Sequence, residues 1–80
     1  MNHNPYIPLS YLSIGQKAKV KTLTSDGSMR RRMLDLGLIG DTVVEALHRS
    51  PSGDPTAYQI RGAVIALRSE EAGKIIVELN

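Results

Sequence analysis

The stretch KAKVKTL at residues 17–23 alternates lysine with small or apolar side chains over most of its length. Successive side chains of a β-strand point to opposite faces of the sheet, so this pattern predicts a half-buried strand. The three lysines are expected to face solvent: Lys17, Lys19 and Lys21. The other face is expected to look inward: Ala18, Val20 and Thr22.

Four more segments beyond this strand have strand character. All are short, rich in β-branched or alternating apolar residues, and bounded by turn-forming residues. They lie at residues 42–49, 56–61, 63–67 and 75–79. Gly62 alone separates the second and third of these, which predicts a tight hairpin or a bulge. Five short strands in so small a chain predict an all-β fold, a small closed barrel.

One clear helix is predicted between the first two strands. Met29, Met33 and Leu36 recur at helical spacing and form an apolar stripe, with Ser28 as the expected N-cap. Gly37 stands where a helix needs a left-handed residue to end, and this predicts a Schellman-type stop. Two further short helical turns are expected, one near residues 9–12 and one capped by Ser69 and opened by Glu70 and Glu71.

The chain of 80 residues is long enough for one domain. Pro5 and Pro8 prevent a regular helix near the N-terminus, so residues 1–8 are predicted to be a flexible arm and residues 9–80 the barrel domain. The longest apolar run, at residues 63–67, is far shorter than the roughly 20 residues of a membrane span. We therefore expect no membrane insertion and no secretion signal.

Composition narrows the class of function. The chain has no cysteine, which excludes disulfides and cysteine-ligated zinc and fits a reducing, cytoplasmic compartment. The formal net charge is only +2, and no aromatic residues interleave with the basic ones. Binding to nucleic acid is therefore not expected. Nothing in the sequence specifies an oligomeric state.

Residues that could carry chemistry are sparse. The serines fall at expected caps and turns, and no base is recognisably paired with any of them. His3 and His48 are far apart and belong to no metal-ligand motif, and no glycine-rich loop could cradle a phosphate. The sequence thus predicts no catalytic residue, no metal site and no cofactor, and a protein that is not an enzyme.

The run Arg30-Arg31-Arg32 is the most conspicuous charge cluster. The apolar stripe of the helix leaves Arg30 and Arg31 pointing outward, while Arg32 should flank the core with its stem packed. One interpretation is a solvated helix face. The other makes Arg30 and Arg31 part of a docking surface for an acidic partner.

Three ordered groups of residues extend over nearly the whole chain. They are LSYL at 9–12 with Gly15 and residues 17–20; RMLDLGLIGD at 32–41 with VVE at 43–45; and Pro51, GDP at 53–55, Arg61-Gly62, ALR at 66–68, Glu71-Ala72 and Ile75. In this order and spacing they resemble the FeoA (ferrous iron transport protein A) family, although Ile39 departs from the proline that the family often has there. The resemblance implies an SH3-like barrel and a cytosolic accessory protein that binds and modulates FeoB, a membrane ferrous-iron transporter with a GTPase domain. The alternative is an SH3-like regulatory or nucleic-acid-binding module.

Overall fold

The structure is a computed structural model that describes residues 5–79. It contains six β-strands, two α-helices and one 3-10 turn, arranged along the chain as follows: β1 (Tyr6–Pro8), the 3-10 turn (Leu9–Tyr11), β2 (Lys17–Leu23), α1 (Gly27–Asp35), β3 (Val43–Arg49), β4 (Thr56–Ile60), β5 (Ala63–Leu67), α2 (Ser69–Ala72) and β6 (Ile75–Leu79).

The strands form a single antiparallel sheet with the order β1-β6-β2-β3-β4-β5. Buried side chains from β2 to β6, the 3-10 turn and both helices join into one apolar cluster. The predicted all-β class is confirmed, with six strands rather than five. The ladder has two ends, β1 and β5, so hydrogen bonding does not close it completely within residues 5–79.

The additional strand comes from the segment expected to be an arm. Tyr6–Pro8 pairs with β6, and the Leu79 amide donates to the Pro5 carbonyl at 2.9 Å. Proline is compatible with an edge strand, where its missing N–H faces away from the ladder. The structure therefore differs from the prediction of a flexible arm at Tyr6–Pro8, while residues 1–4 of that arm lie outside the described residues.

A β-bulge in β2 changes the predicted inward face. The pairing of β2 with β6 shifts register between Val20 and Thr22, which makes Lys21 the extra residue on the bulged strand. Thr22 is consequently exposed and Leu23 is buried, so the expected inward position of Thr22 was wrong. Ala18 and Val20 are buried as predicted, and all three lysines are exposed.

Helix α1 ends as the sequence predicts. Gly37 has φ +95°, the Leu38 amide donates to the Met33 carbonyl at 3.0 Å, and the Gly37 amide donates to Leu34 at 3.0 Å. These two bonds define a Schellman motif. The start differs from expectation, because Asp26 is the N-cap residue and Ser28 lies inside the first turn.

We expect Gly37→Ala to lower the free energy of unfolding by about 1–2 kcal/mol, since an L-residue is disfavoured at this φ. An added Cβ would also lie 3.1 Å from Arg61 Cδ. Chemical denaturation would measure the loss. Gly40→Ala is the matched control, because Gly40 has an ordinary φ and open space around it. Equal stability of the two variants would contradict this account of the helix stop.

The hairpin between β4 and β5 is tight, as the single glycine predicted. Ile60 pairs with Ala63, leaving Arg61 and Gly62 as a two-residue turn. Both turn residues have positive φ, +52° and +82°, which is the combination that a type I′ turn requires. The tight turn fixes the register of β5 against β4. Strand β5 lies at the edge of the sheet, with β4 as its one neighbour within residues 5–79.

Candidate protein-docking site

A shallow concavity of about 400 Å³ lies along the exposed side of α1. Its lining consists of Gly27, Arg30, Arg31, Leu34 and Asp35. The two arginines predicted to bind a partner therefore belong to one surface, together with an apolar side chain and a carboxylate. We call these five residues the α1 surface.

The helix turns this surface outward because its opposite side is committed to the core. Met33 is fully buried, and Met29 and Leu36 pack against the core from half-buried positions. Arg31 and Leu34 lie three residues apart, and Arg30 and Leu34 four apart, so they are neighbours on the free side. Leu34 remains 40% exposed. An exposed leucine between two guanidinium groups suits a contact that is both apolar and charged.

Arg30 is attached to the barrel. Its Nη1 donates to the Leu23 carbonyl at 3.3 Å, across the turn that joins β2 to α1. Arg30 is exposed, as helix periodicity predicted, but this bond to the barrel was not predicted. Arg30 is thus a positioned group with several N–H donors still available for a partner.

Arg31 is the uncommitted arginine of the run. Within residues 5–79 its side chain makes no hydrogen bond or ion pair, and neither does that of Asp35, four residues later. Arg31 is also exposed. Because arginine can hold a carboxylate with two parallel bonds, Arg31 is well suited to grip an acidic side chain of a partner.

Arg32 has a structural role. It forms an ion pair with Glu71 of α2, and the Glu71 side chain is only 13% exposed. The other carboxylate oxygen of Glu71 accepts the Arg68 amide at 2.9 Å, at the start of α2. Glu71 therefore joins the two helices and removes Arg32 from the docking surface. Sequence reasoning missed this pair, because 39 residues separate its members.

A second carboxylate, that of Asp54, also bonds to the start of α2. Asp54, in the loop between β3 and β4, accepts the Ser69 amide at 2.8 Å. Ser69 was expected to cap this helix and is instead its first residue, with Arg68 at the N-cap position. The carboxylate that satisfies the first helical amide thus comes from 15 residues upstream.

The lysine side of β2 offers a weaker docking surface. Lys21 pairs with Glu78 at 3.5 Å, Lys19 lies opposite Glu78 in the ladder, and Lys17 lies opposite Glu45. Carboxylates therefore interleave with the lysines. Such a surface lacks the uninterrupted positive charge that phosphate-backbone binding uses.

Potential metal ligands do not cluster in residues 5–79. This part of the chain has no group of three or more potential metal-ligating side chains. His48 is exposed on β3, and His3 lies outside the described residues. Likewise, no described helix is long and apolar enough to cross a bilayer.

Tyr58 is a buried residue whose polar hydroxyl has partners within the sheet. Burial raises the pKa of the Tyr58 hydroxyl above its usual 10.0, while a hydrogen bond to Thr56 and the charge of Arg49 oppose that shift. Arg49 Nε in turn donates to Thr56 Oγ1 at 3.2 Å. Tyr58 is therefore neutral at physiological pH and is held by partners within the sheet.

The model of the FeoA domain family matches residues 7–79. The chain belongs to the FeoA domain family. It is 34% identical over 71 residues to an Fe(2+) transport protein A/Fe(2+) transporter FeoB fusion protein of Porphyromonas gingivalis. That match covers 89% of this chain and only 8% of the fusion protein.

Solved structures of FeoA proteins share the fold. A FeoA-like protein from Clostridium acetobutylicum superposes with a TM-score of 0.86 at 32% identity, covering 96% of this chain and 90% of the other. FeoA of Stenotrophomonas maltophilia, solved with zinc and described as a prokaryotic SH3 domain protein, gives 0.79 at 27% identity over 88% and 87% of the two chains. The SH3-like fold expected from the resemblance is confirmed.

Proposed function

We propose that this FeoA domain is a non-catalytic accessory protein of ferrous-iron uptake that binds a FeoB-type membrane transporter from the cytoplasmic side. The observation that carries the proposal is the Porphyromonas gingivalis relative, in which a FeoA portion and FeoB are one polypeptide. Two domains that one organism joins covalently are expected to work in contact.

The α1 surface supports a role in binding. It combines a free guanidinium at Arg31, an anchored one at Arg30 and an exposed apolar side chain at Leu34. Arginine is enriched among the residues that contribute most to binding at protein interfaces. The leucine beside the two arginines adds apolar area that a partner can cover. The proposed contact is an acidic segment of the transporter that pairs with the arginines and covers Leu34.

In this proposal the domain regulates the transporter by binding to it, and it catalyses no reaction itself. A bound accessory domain shifts its partner's equilibrium only by its difference in affinity for the partner's conformations. We therefore expect the domain to favour one conformation of the transporter's cytoplasmic portion, including its GTPase domain.

The test is co-purification from cells that express an affinity-tagged FeoB-type transporter and this chain. The chain is expected to co-purify with the full transporter, and deletion of the soluble GTPase domain shows whether that domain carries the contact. Ferrous-iron uptake, measured in parallel, should fall when the chain is absent. Failure to co-purify from cells whose uptake does not depend on the chain would contradict the proposal.

A further inference from the structure

Strand β5 forms one edge of the sheet. It lacks the features that usually prevent an edge strand from pairing with another strand. Strand β5 reads AVIAL, and it bonds only to β4 within residues 5–79. Natural edge strands are commonly blunted by charge, proline, a bulge or short length. The opposite edge, β1, has only three residues and ends in Pro8. Strand β5 has five residues, no charge, no proline and no register shift.

The outer side of β5 is also apolar. Val64 is 61% exposed, and Ala66 is exposed beside it on the same face. Their neighbours across the ladder on β4 are Gln59 and Ala57, which are uncharged as well. A strand added at this edge would therefore meet a surface without charge.

The hairpin geometry shows which backbone groups of β5 are free. In a two-residue hairpin, the residues that flank the turn form the first hydrogen-bonded pair, here Ile60 and Ala63. Hydrogen-bonded and non-bonded pairs then alternate along an antiparallel ladder. Ala63, Ile65 and Leu67 therefore direct their N–H and C=O groups toward β4. Val64 and Ala66 direct theirs outward, and no other hydrogen bond in residues 5–79 uses them.

We propose that β5 is a self-association edge, where a second copy of this chain pairs antiparallel through a two-fold axis at Ile65. In this register Val64 of each copy lies opposite Ala66 of the other, and these are the residues with outward polar groups. Four backbone hydrogen bonds result, two for each Val64–Ala66 pair. Each copy supplies the same free donors and acceptors and the same uncharged side chains, so the two edges are self-complementary in an isologous contact.

Charge along the strand agrees with this register. No charged side chain lies within Ala63–Leu67, so no like charges oppose one another within the shared ladder. The first residues beyond it are Gly62 and Arg68, which fall opposite each other. A glycine opposite the arginine leaves the guanidinium free to turn into solvent.

A single five-residue strand pair is a small interface, so the dimer is weak. Contacts of this size lie below the roughly 1,000 Å² that stable complexes exceed. The dimer should form at high protein concentration and dissociate on dilution. The proposal is independent of transporter binding, which uses α1.

The test follows sedimentation velocity and amide hydrogen exchange from about 20 µM to about 1 mM, the range in which weak interfaces dissociate. The sedimentation coefficient should rise toward that of a dimer. The amides of Val64 and Ala66 should become protected as concentration rises, whereas those of Ala63, Ile65 and Leu67 are already protected by β4. This alternation distinguishes strand pairing from general aggregation.

Two variants and a control complete the test. Val64→Pro removes only the outward N–H and should weaken the dimer at least about tenfold, since two of the four bonds are lost. Val64→Glu places like charges diagonally across the axis and should also keep the protein monomeric. Val64→Thr retains the N–H and the β-branched shape and should dimerise like the parent.

Three results would overturn the proposal. One is a protein that stays monomeric at about 1 mM with unchanged exchange at Val64 and Ala66. Another is a dimer that survives both Val64→Pro and Val64→Glu. The third is an edge that binds an extended segment of a different protein while showing no self-association. If Val64→Pro fails to fold, the exchange pattern of the parent and Val64→Glu still decide the question.

Discussion

Met33→Ala is expected to remove about 2–5 kcal/mol from the free energy of unfolding, the usual range for truncating a fully buried methionine. Met33 has no exposed surface and is the one fully buried side chain of α1. Its carbonyl also accepts the Leu38 amide in the helix stop. The substitution therefore loosens the packing of the helix that presents the α1 surface.

The loss is large relative to the stability of so small a domain. An 80-residue domain has roughly 4–12 kcal/mol in total, so Met33→Ala should lower the melting temperature by at least about 10 °C. Leu34→Ala is the matched control for stability, because Leu34 is the next residue and is 40% exposed. It should cost less than about 1 kcal/mol. Equal melting temperatures for the two variants would contradict the anchoring of α1 through Met33.

Arg31→Glu is expected to weaken binding to the FeoB-type transporter by about 1–3 kcal/mol, provided that the contact excludes water. The substitution puts a carboxylate on this chain facing the carboxylate that the partner is proposed to supply, so the two like charges repel. Because Arg31 has no hydrogen bond or ion pair within residues 5–79, the stability of the isolated domain should stay nearly unchanged. Titration of the purified transporter in nanodiscs would measure the affinity, whose dependence on salt should also decrease.

Lys17→Glu is the matched control, since it makes the same change of charge on the outer side of β2. It should leave transporter binding close to that of the parent. The double change Arg30→Glu with Arg31→Glu is less clean, because it also removes the bond from Arg30 to the Leu23 carbonyl. A folded Arg31→Glu protein that binds the transporter and supports uptake like the parent would rule out the α1 surface.

Sequence reasoning succeeded where structure is encoded locally. The alternation at residues 17–23, the glycine after the helical stripe and the single glycine between two apolar runs each determine their own conformation through neighbouring residues. The direction of Arg30 and Arg31 followed from helix periodicity alone. These features require no knowledge of which segments meet in space.

The features that escaped prediction depend on distant partners. β1 exists because Tyr6–Pro8 meets the last strand of the chain, and the bulge at Lys21 arises where β2 must fit β6. The commitment of Arg32 to Glu71 likewise needs both helices in place. Arg30 and Arg31 are both exposed as the local pattern predicted, but the bond from Arg30 to the Leu23 carbonyl depends on tertiary structure.

The pairing of the first strand with the last gives the domain a modular character. Pro5 and Leu79 are hydrogen-bonded neighbours, so the chain enters and leaves the barrel at one place. In the strand order this place is at the opposite end of the sheet from β5. A longer polypeptide could therefore carry the domain as an inserted or appended unit without breaking a strand pair, and a circular permutant that joins these ends would keep the whole ladder.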